Sequence, residues 1–122
     1  MLGSGSYGRA FLVQKKMTGE ELVIKQINLA DLSPEEQESA LKEAKILEML
    51  EHQSIVKFKE VYRTAKMRLN IVMEYAGGGD LSQRIKTAKE GKMHFSESQI
   101  ISWFIQICLA VRYIHSKYVS LH

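Results

Sequence analysis

Three glycines at positions 3, 5 and 8 of the opening stretch MLGSGSYGRAF form the pattern Gly-x-Gly-x-x-Gly, and the chemistry that spacing suggests is phosphate binding. A backbone without Cβ atoms can bring its N–H groups close to phosphate oxygens. A dinucleotide-binding turn of this pattern follows a strand and opens a helix, whereas here Ala10-Phe11-Leu12-Val13 follows and reads as a strand. A Walker loop needs Lys-Ser/Thr after its last glycine, and the chain continues Arg9-Ala10 instead. What remains is a glycine turn between two strands, which is either a phosphate flap or an ordinary glycine-rich hairpin.

Two charged residues stand where apolar ones are expected. At about 100° per residue, a helix through residues 34–51 puts Ala40, Ala44, Leu47 and Leu50 on one face, with Glu43 in the middle of that stripe. Strand alternation puts Lys25 on the same face as Val23 and Ile27. A carboxylate facing a core is costly unless a cation or donor meets it, so each charge supplies what the other lacks. The plainer alternative is that Lys25 snorkels to water and Glu43 sits at the rim of the stripe. A glycine turn, a strand lysine and an inward helix glutamate are together the parts that a phosphoryl-transfer enzyme uses on its nucleotide side.

The elements that must position these residues are legible along the chain. Residues 2–15 suggest two strands around the glycine turn, Thr18-Gly19 a second turn, and residues 21–29 a third strand rich in β-branched side chains. Ser33-Pro34-Glu35-Glu36 is a capping box with proline at the first helical position, which predicts a helix from Pro34 to Glu51. Residues 55–62 and 69–75 read as a strand pair joined by the polar stretch 63–68. Gly77-Gly78-Gly79 breaks the chain, after which Asp80 can cap a short helix toward Lys89. Ser96-Glu97-Ser98-Gln99 is a second capping box, opening a long helix that reaches toward Lys117.

Composition narrows the function classes. The 122 residues are 45% hydrophobic, enough chain to bury a core. A net charge of +3, with no run of five or six like charges, argues against nucleic acid. Cys108 is the single cysteine and cannot close an internal disulfide, which favours a reducing compartment. The first residues lack a signal pattern, and the apolar run IISWFIQICLAV is short and broken by Ser102 and Gln106, so neither secretion nor a membrane span is expected. Trp103 and Cys108 read as core residues, His52 as structural, and His94 as part of a solvated loop.

The strings LGSGSYG, LVIK, KEAKILEML and IVMEYAGGGDL, in this order over essentially the whole chain, resemble the small lobe and first helices of a eukaryotic protein kinase. Finer strings, AFLV, VIKQINL, GGGDL and QIISWFIQICLAVRYIH, are similar to the NIMA-related serine/threonine kinases. The resemblance implies an α+β fold. Residues 1–76 would be a small lobe and hinge, an antiparallel five-stranded sheet plus one helix, and residues 77–122 the first two helices of a truncated large lobe. It further implies that Leu2 covers an adenine, that Gly3, Gly5 and Gly8 form the flap with Tyr7 at its tip, and that Lys25 and Glu43 are an ion pair. Met73 would be the gatekeeper. Glu74, Tyr75 and Ala76 would be the hinge whose backbone groups meet the adenine edge. Asp80 either reaches the ribose or only caps its helix. Ala10 and Val23 depart from the usual valine and alanine, a swap that roughly keeps pocket volume.

A larger departure lies at the end. The His-Arg-Asp and Asp-Phe-Gly strings of the kinase pattern do not occur in the 122 residues. Ser120-Leu121-His122 resembles the approach to the catalytic loop, as in a kinase cut off before its catalytic aspartate. The resemblance implies ATP, and magnesium whose ligands would lie beyond His122. It also implies protein substrates for the full-length form and a cytoplasmic or cytoskeleton-associated setting. The 122 residues alone are expected to be inactive in phosphate transfer. The alternative is a non-catalytic nucleotide-binding or kinase-interaction module. The last helix is apolar around much of its circumference, which predicts an exposed patch and self-association.

Overall fold

The computed structural model describes residues 1–5 and 8–121, with side chains for residues 1–4 and 8–117; Tyr7 and His122, singled out above, lie outside the described residues. The chain forms two compact units, one of Met1–Glu51 with Val56–Tyr75 and one of His52–Ile55 with Ala76–His122.

The first unit is an antiparallel sheet with one helix, the α+β arrangement expected of this sequence. Its strands are β1 (Gly3–Gly5), β2 (Gly8–Gln14), β3 (Glu21–Asn28), β4 (Phe58–Arg63) and β5 (Arg68–Glu74), in the order β1-β2-β3-β5-β4. Valines, isoleucines and leucines crowd β3 and β5, two of the three inner strands, which are paired on both edges. The β2–β3 turn closes through Gly19, whose φ of 72° suits glycine and whose N–H donates to the Lys15 carbonyl at 2.8 Å. Between β4 and β5, Met67 adopts a φ of 60°, and its carbonyl accepts the Leu29 N–H at 2.8 Å. That bond ties the hairpin to the end of β3.

Helix α1 (Pro34–Met49) begins as the capping box requires. The Glu36 N–H donates to Ser33 Oγ at 3.2 Å, and the Ser33 N–H donates to Glu36 Oε2 at 2.8 Å. It ends two residues earlier than expected, and Leu50 leaves the helix in an extended conformation while staying buried. The predicted stripe is kept, with Ala44 1% exposed, Leu50 buried, and Ala40 and Leu47 half-buried beside Leu41, which packs on the core. The correction concerns Glu43, which lies exposed on the flank of that stripe instead of facing inward. The core itself is Leu29, Ala44, Leu69 and Ile71, with Leu29 and Leu69 wholly inaccessible.

The second unit contains α2 (Leu81–Glu90) and α3 (Glu97–Leu121). Asp80 caps α2 by accepting the Gln83 N–H at 2.8 Å, and Ser96 Oγ accepts the Gln99 N–H at 3.2 Å at the start of α3. Helix α3 continues four residues past Lys117. Its inward arc carries Trp103, half-buried against the Phe95 ring at 5.1 Å, and Ala110, which is buried. Cys108 is exposed rather than in the core: it lies about 140° around the helix from Trp103, on an arc shared with Phe104 and Ile101, which are also exposed. His52 is structural as expected. Its Nδ1 accepts the Ser54 N–H at 3.0 Å and its ring lies 5.3 Å from that of Tyr113.

Candidate functional site

The sheet register assembles most of the residues singled out in the sequence. Gly3 pairs with Ala10, Ala10 with Lys25, and Lys25 with Ile71, while Leu12 pairs with Val23 and Val23 with Met73. Directly opposed residues in antiparallel strands share a sheet face, and alternate residues of one strand do too. Gly3, Ala10, Val23, Lys25 and Met73 therefore occupy one face in two neighbouring cross-strand rows. The Leu2 N–H extends this pairing by donating to the Ala10 carbonyl at 2.7 Å, which sets the partly exposed Leu2 beside it.

Lys25 and Glu43 line one open cleft of about 860 Å³ between the glycine turn, β3 and the flank of α1. Both side chains are exposed, and the ion pairs among the described residues are elsewhere, Lys42 with Glu38 and Lys59 with Glu20. The expected Lys25–Glu43 pair is thus not closed in this structure. Each group faces water instead of the other, since Glu43 lies on the exposed flank of α1. Arg9 and Arg68 add cationic charge to the same cleft, and Asp31 and Glu36 add anionic charge. The Glu36 carboxyl is held below its usual range by the Ser33 backbone N–H, then by the Ser33 hydroxyl.

The glycines are not equivalent. Gly8 has a φ of 141°, and a Cβ there would collide with the Gln26 carbonyl oxygen of β3, so the sheet itself requires glycine. A Cβ on Gly3 would meet nothing within 4 Å, so packing alone leaves its identity unexplained. Gly5 pairs with Gly8 across the turn.

The hinge residues divide. The Glu74 N–H donates to the Lys57 carbonyl at 2.9 Å, and Glu74 Oε1 accepts the Lys57 N–H at 2.9 Å. The Glu74 N–H is therefore engaged within the first unit, so a ligand would meet this residue through its carbonyl. Tyr75 is half-buried at the end of the first unit, whereas Ala76 and Asp80 belong to the second, where Asp80 is engaged in the α2 cap.

Sequence reasoning missed Gln37. Its Nε2 donates to the Leu29 carbonyl at 2.8 Å and to the Leu32 carbonyl at 3.1 Å, fastening the first turn of α1 to the short 3-10 turn Leu29–Asp31. The available signal was a polar side chain seven residues before Ala44, which places it on the buried face. Chemically, the cleft offers the exposed Lys25 ammonium with Arg9 and Arg68, alongside the carboxylates of Asp31, Glu36 and Glu43, and the Lys25 ammonium has no carboxylate partner and can meet a phosphate. The described residues contain no cluster of three or more acidic, histidine or cysteine groups able to hold a metal ion.

The family model described as "Protein kinase domain" matches residues 1–122. The chain is 41% identical over 116 residues to probable serine/threonine-protein kinase nek3 of Dictyostelium discoideum, covering 95% of this chain and 10% of that protein. It is 40% identical over 119 residues to serine/threonine-protein kinase Nek4 of Mus musculus, covering 98% and 15%. With Nek3 of Mus musculus the identity is 44% over 119 residues, covering 98% and 22%. The chain thus spans between 10% and 22% of the length of these relatives. A five-stranded sheet with its helix, a matching family model over every residue and relatives of one kind lead to one assignment: the chain belongs to the protein kinase domain family and is related to the NIMA-related serine/threonine kinases.

Proposed function

We propose that this chain is the ATP-binding portion of a serine/threonine kinase that, in its full-length form, transfers the γ-phosphate of ATP to protein serine and threonine. The observation that carries this reading is the shared sheet face of Gly3, Ala10, Val23, Lys25 and Met73, with Lys25 opening onto the cleft that Glu43 also lines. The residues fit the nucleotide: Lys25 is exposed without a carboxylate partner, and Gly3 leaves space for close approach. Bound ATP supplies the phosphoryl group. Lys25 neutralises phosphate charge, the Gly3–Gly8 turn covers it, and Ala10, Val23 and Met73 present an apolar surface to the base. Glu43 orients Lys25 once α1 turns inward. Magnesium ligands would lie beyond His122; the described residues hold no cluster of three or more acidic, histidine or cysteine groups for the metal.

The second reading, a non-catalytic nucleotide-binding or kinase-interaction module, is favoured by the open Lys25–Glu43 pair. A fluorescent ATP analogue titrated into the 122-residue chain tests what both readings share. Saturable binding that unlabelled ATP displaces supports them, and its absence overturns both. Radiolabel transfer to a protein substrate by the full-length product then separates them: transfer favours the kinase, and binding without transfer favours the module.

A further inference from the structure

The corner between α2 and α3 carries a second recess, independent of the nucleotide reading. It holds about 410 Å³ and is lined by Arg84, Thr87, Ala88, Met93, His94 and Phe95, among others. One wall is set by the end of α2. The Lys92 N–H donates to the Lys89 carbonyl at 3.1 Å and the Met93 N–H to the Ala88 carbonyl at 2.8 Å, the two bonds of a Schellman cap. This cap turns Met93 back along α2 while leaving it 71% exposed, an apolar side chain held at the mouth of the recess. The left-handed position of the cap, with a φ of 51°, is Lys92, where glycine is favoured and a side chain is strained.

The other wall carries one cation, Arg84. The Arg84 guanidinium lies 6.0 Å from the Trp103 ring centroid, and the Phe95 ring meets Trp103 edge-on. Between Arg84 and His94 the chain carries four basic residues, Arg84, Lys86, Lys89 and Lys92, against the single acid Glu90. None of the four has a carboxylate partner among the described residues. An apolar floor of Ala88 and Phe95, an exposed methionine, the unpaired Arg84 guanidinium in the lining and Lys92 beside Met93 in the cap complement a segment of opposite charge with an apolar side chain of its own.

We propose that this recess docks an acidic peptide segment of another protein, its apolar side chain resting against Ala88, Met93 and Phe95, one carboxylate on Arg84 and another near Lys92. Trp103 is the only tryptophan, and it contacts both Arg84 and Phe95, so its emission reports on the recess. The full chain is titrated with the blocked peptide Glu-Asp-Leu-Phe-Asp-Glu and with its counterpart carrying lysine at the four acidic positions. The expected result is a saturable emission change with the acidic peptide alone. Its midpoint should rise about tenfold in Arg84→Gln and roughly threefold in Lys92→Gly. Lys92→Gly should at the same time raise the melting temperature by relieving the left-handed strain, an opposition that a purely structural lysine would not produce. The proposal is overturned by no saturable change up to ~1 mM acidic peptide, by equal binding of the lysine peptide, by unchanged midpoints in both variants, or by equal competition from a DNA oligonucleotide of the same charge.

Discussion

The side chain of Gln37 donates to the main-chain carbonyl of Leu29 at 2.8 Å, joining the first turn of α1 to the most deeply buried point of the core. Through this bond, and a second to Leu32, α1 is held at its N-terminal end while Glu43 further along remains in water. Gln37→Ala should leave the Leu32 carbonyl without this donor and the Leu29 carbonyl with only the Leu32 N–H, and lower stability by about 1–2 kcal/mol. Thermal or urea unfolding against the unsubstituted chain measures it, and no change would mean that water serves those carbonyls as well.

Nucleotide affinity should separate the acidic residues of α1. Lys25→Ala is expected to weaken binding of a fluorescent ATP analogue by about tenfold or more, since a charge-assisted bond to phosphate is lost. Glu43→Ala should weaken it less, by way of Lys25. Glu38→Ala should leave it unchanged, because Glu38 pairs with Lys42 at 3.2 Å in an exposed helix pair that contributes little. Equal effects of the two glutamate variants would show that Glu43 has no part in the site.

The glycines provide a test that divides folding from binding. Gly8→Ala meets the Gln26 carbonyl and a positive φ, so it should cost about 2 kcal/mol or more and lower the melting temperature. Gly3→Ala meets nothing within 4 Å, so the melting temperature should hold while ATP affinity falls. If Gly3→Ala binds ATP unchanged, the glycine turn is an ordinary hairpin.

The capping box should make α1 sensitive to acid. The Glu36 carboxyl is depressed in the folded chain by its bond from the Ser33 N–H, so the stabilisation is present above the unfolded value, near 4.5, and is lost as the pH falls through the lower folded value. Melting temperatures followed from pH 6 downward should fall more steeply below about pH 4.5 in the unsubstituted chain than in Glu36→Gln. Parallel profiles would assign the acid sensitivity elsewhere.

Helix α3 should make the isolated chain sticky. Phe104 is 65% exposed, and Ile100, Ile107 and Val111 continue the same apolar arc. The 122-residue chain should bind a hydrophobic dye and associate at micromolar concentration, and Phe104→Asp with Ile107→Ser should reduce both. Light scattering after size exclusion checks the association; a monodisperse, dye-silent chain would contradict it.

What the sequence determined by itself was local. The Ser33–Glu36 box, the Asp80 cap and the glycine turn depend on residues within a few positions of one another, and side-chain and backbone chemistry at that range is the same in any fold. Strand alternation likewise put Lys25 on the face of Val23 and Ile27 before any pairing was known. Tertiary structure alone decided what depends on distant partners. The clash that makes Gly8 obligatory comes from Gln26 across the β2–β3 pair, and the loss of the Glu74 N–H comes from Lys57, seventeen residues away. The exposure of Glu43 on the flank of α1 follows from how Ala40, Leu41 and Ala44 pack against Leu69 and Ile71. Periodicity names the residues of a helix face, and the packing of the core decides whether a residue at its edge meets a partner or water.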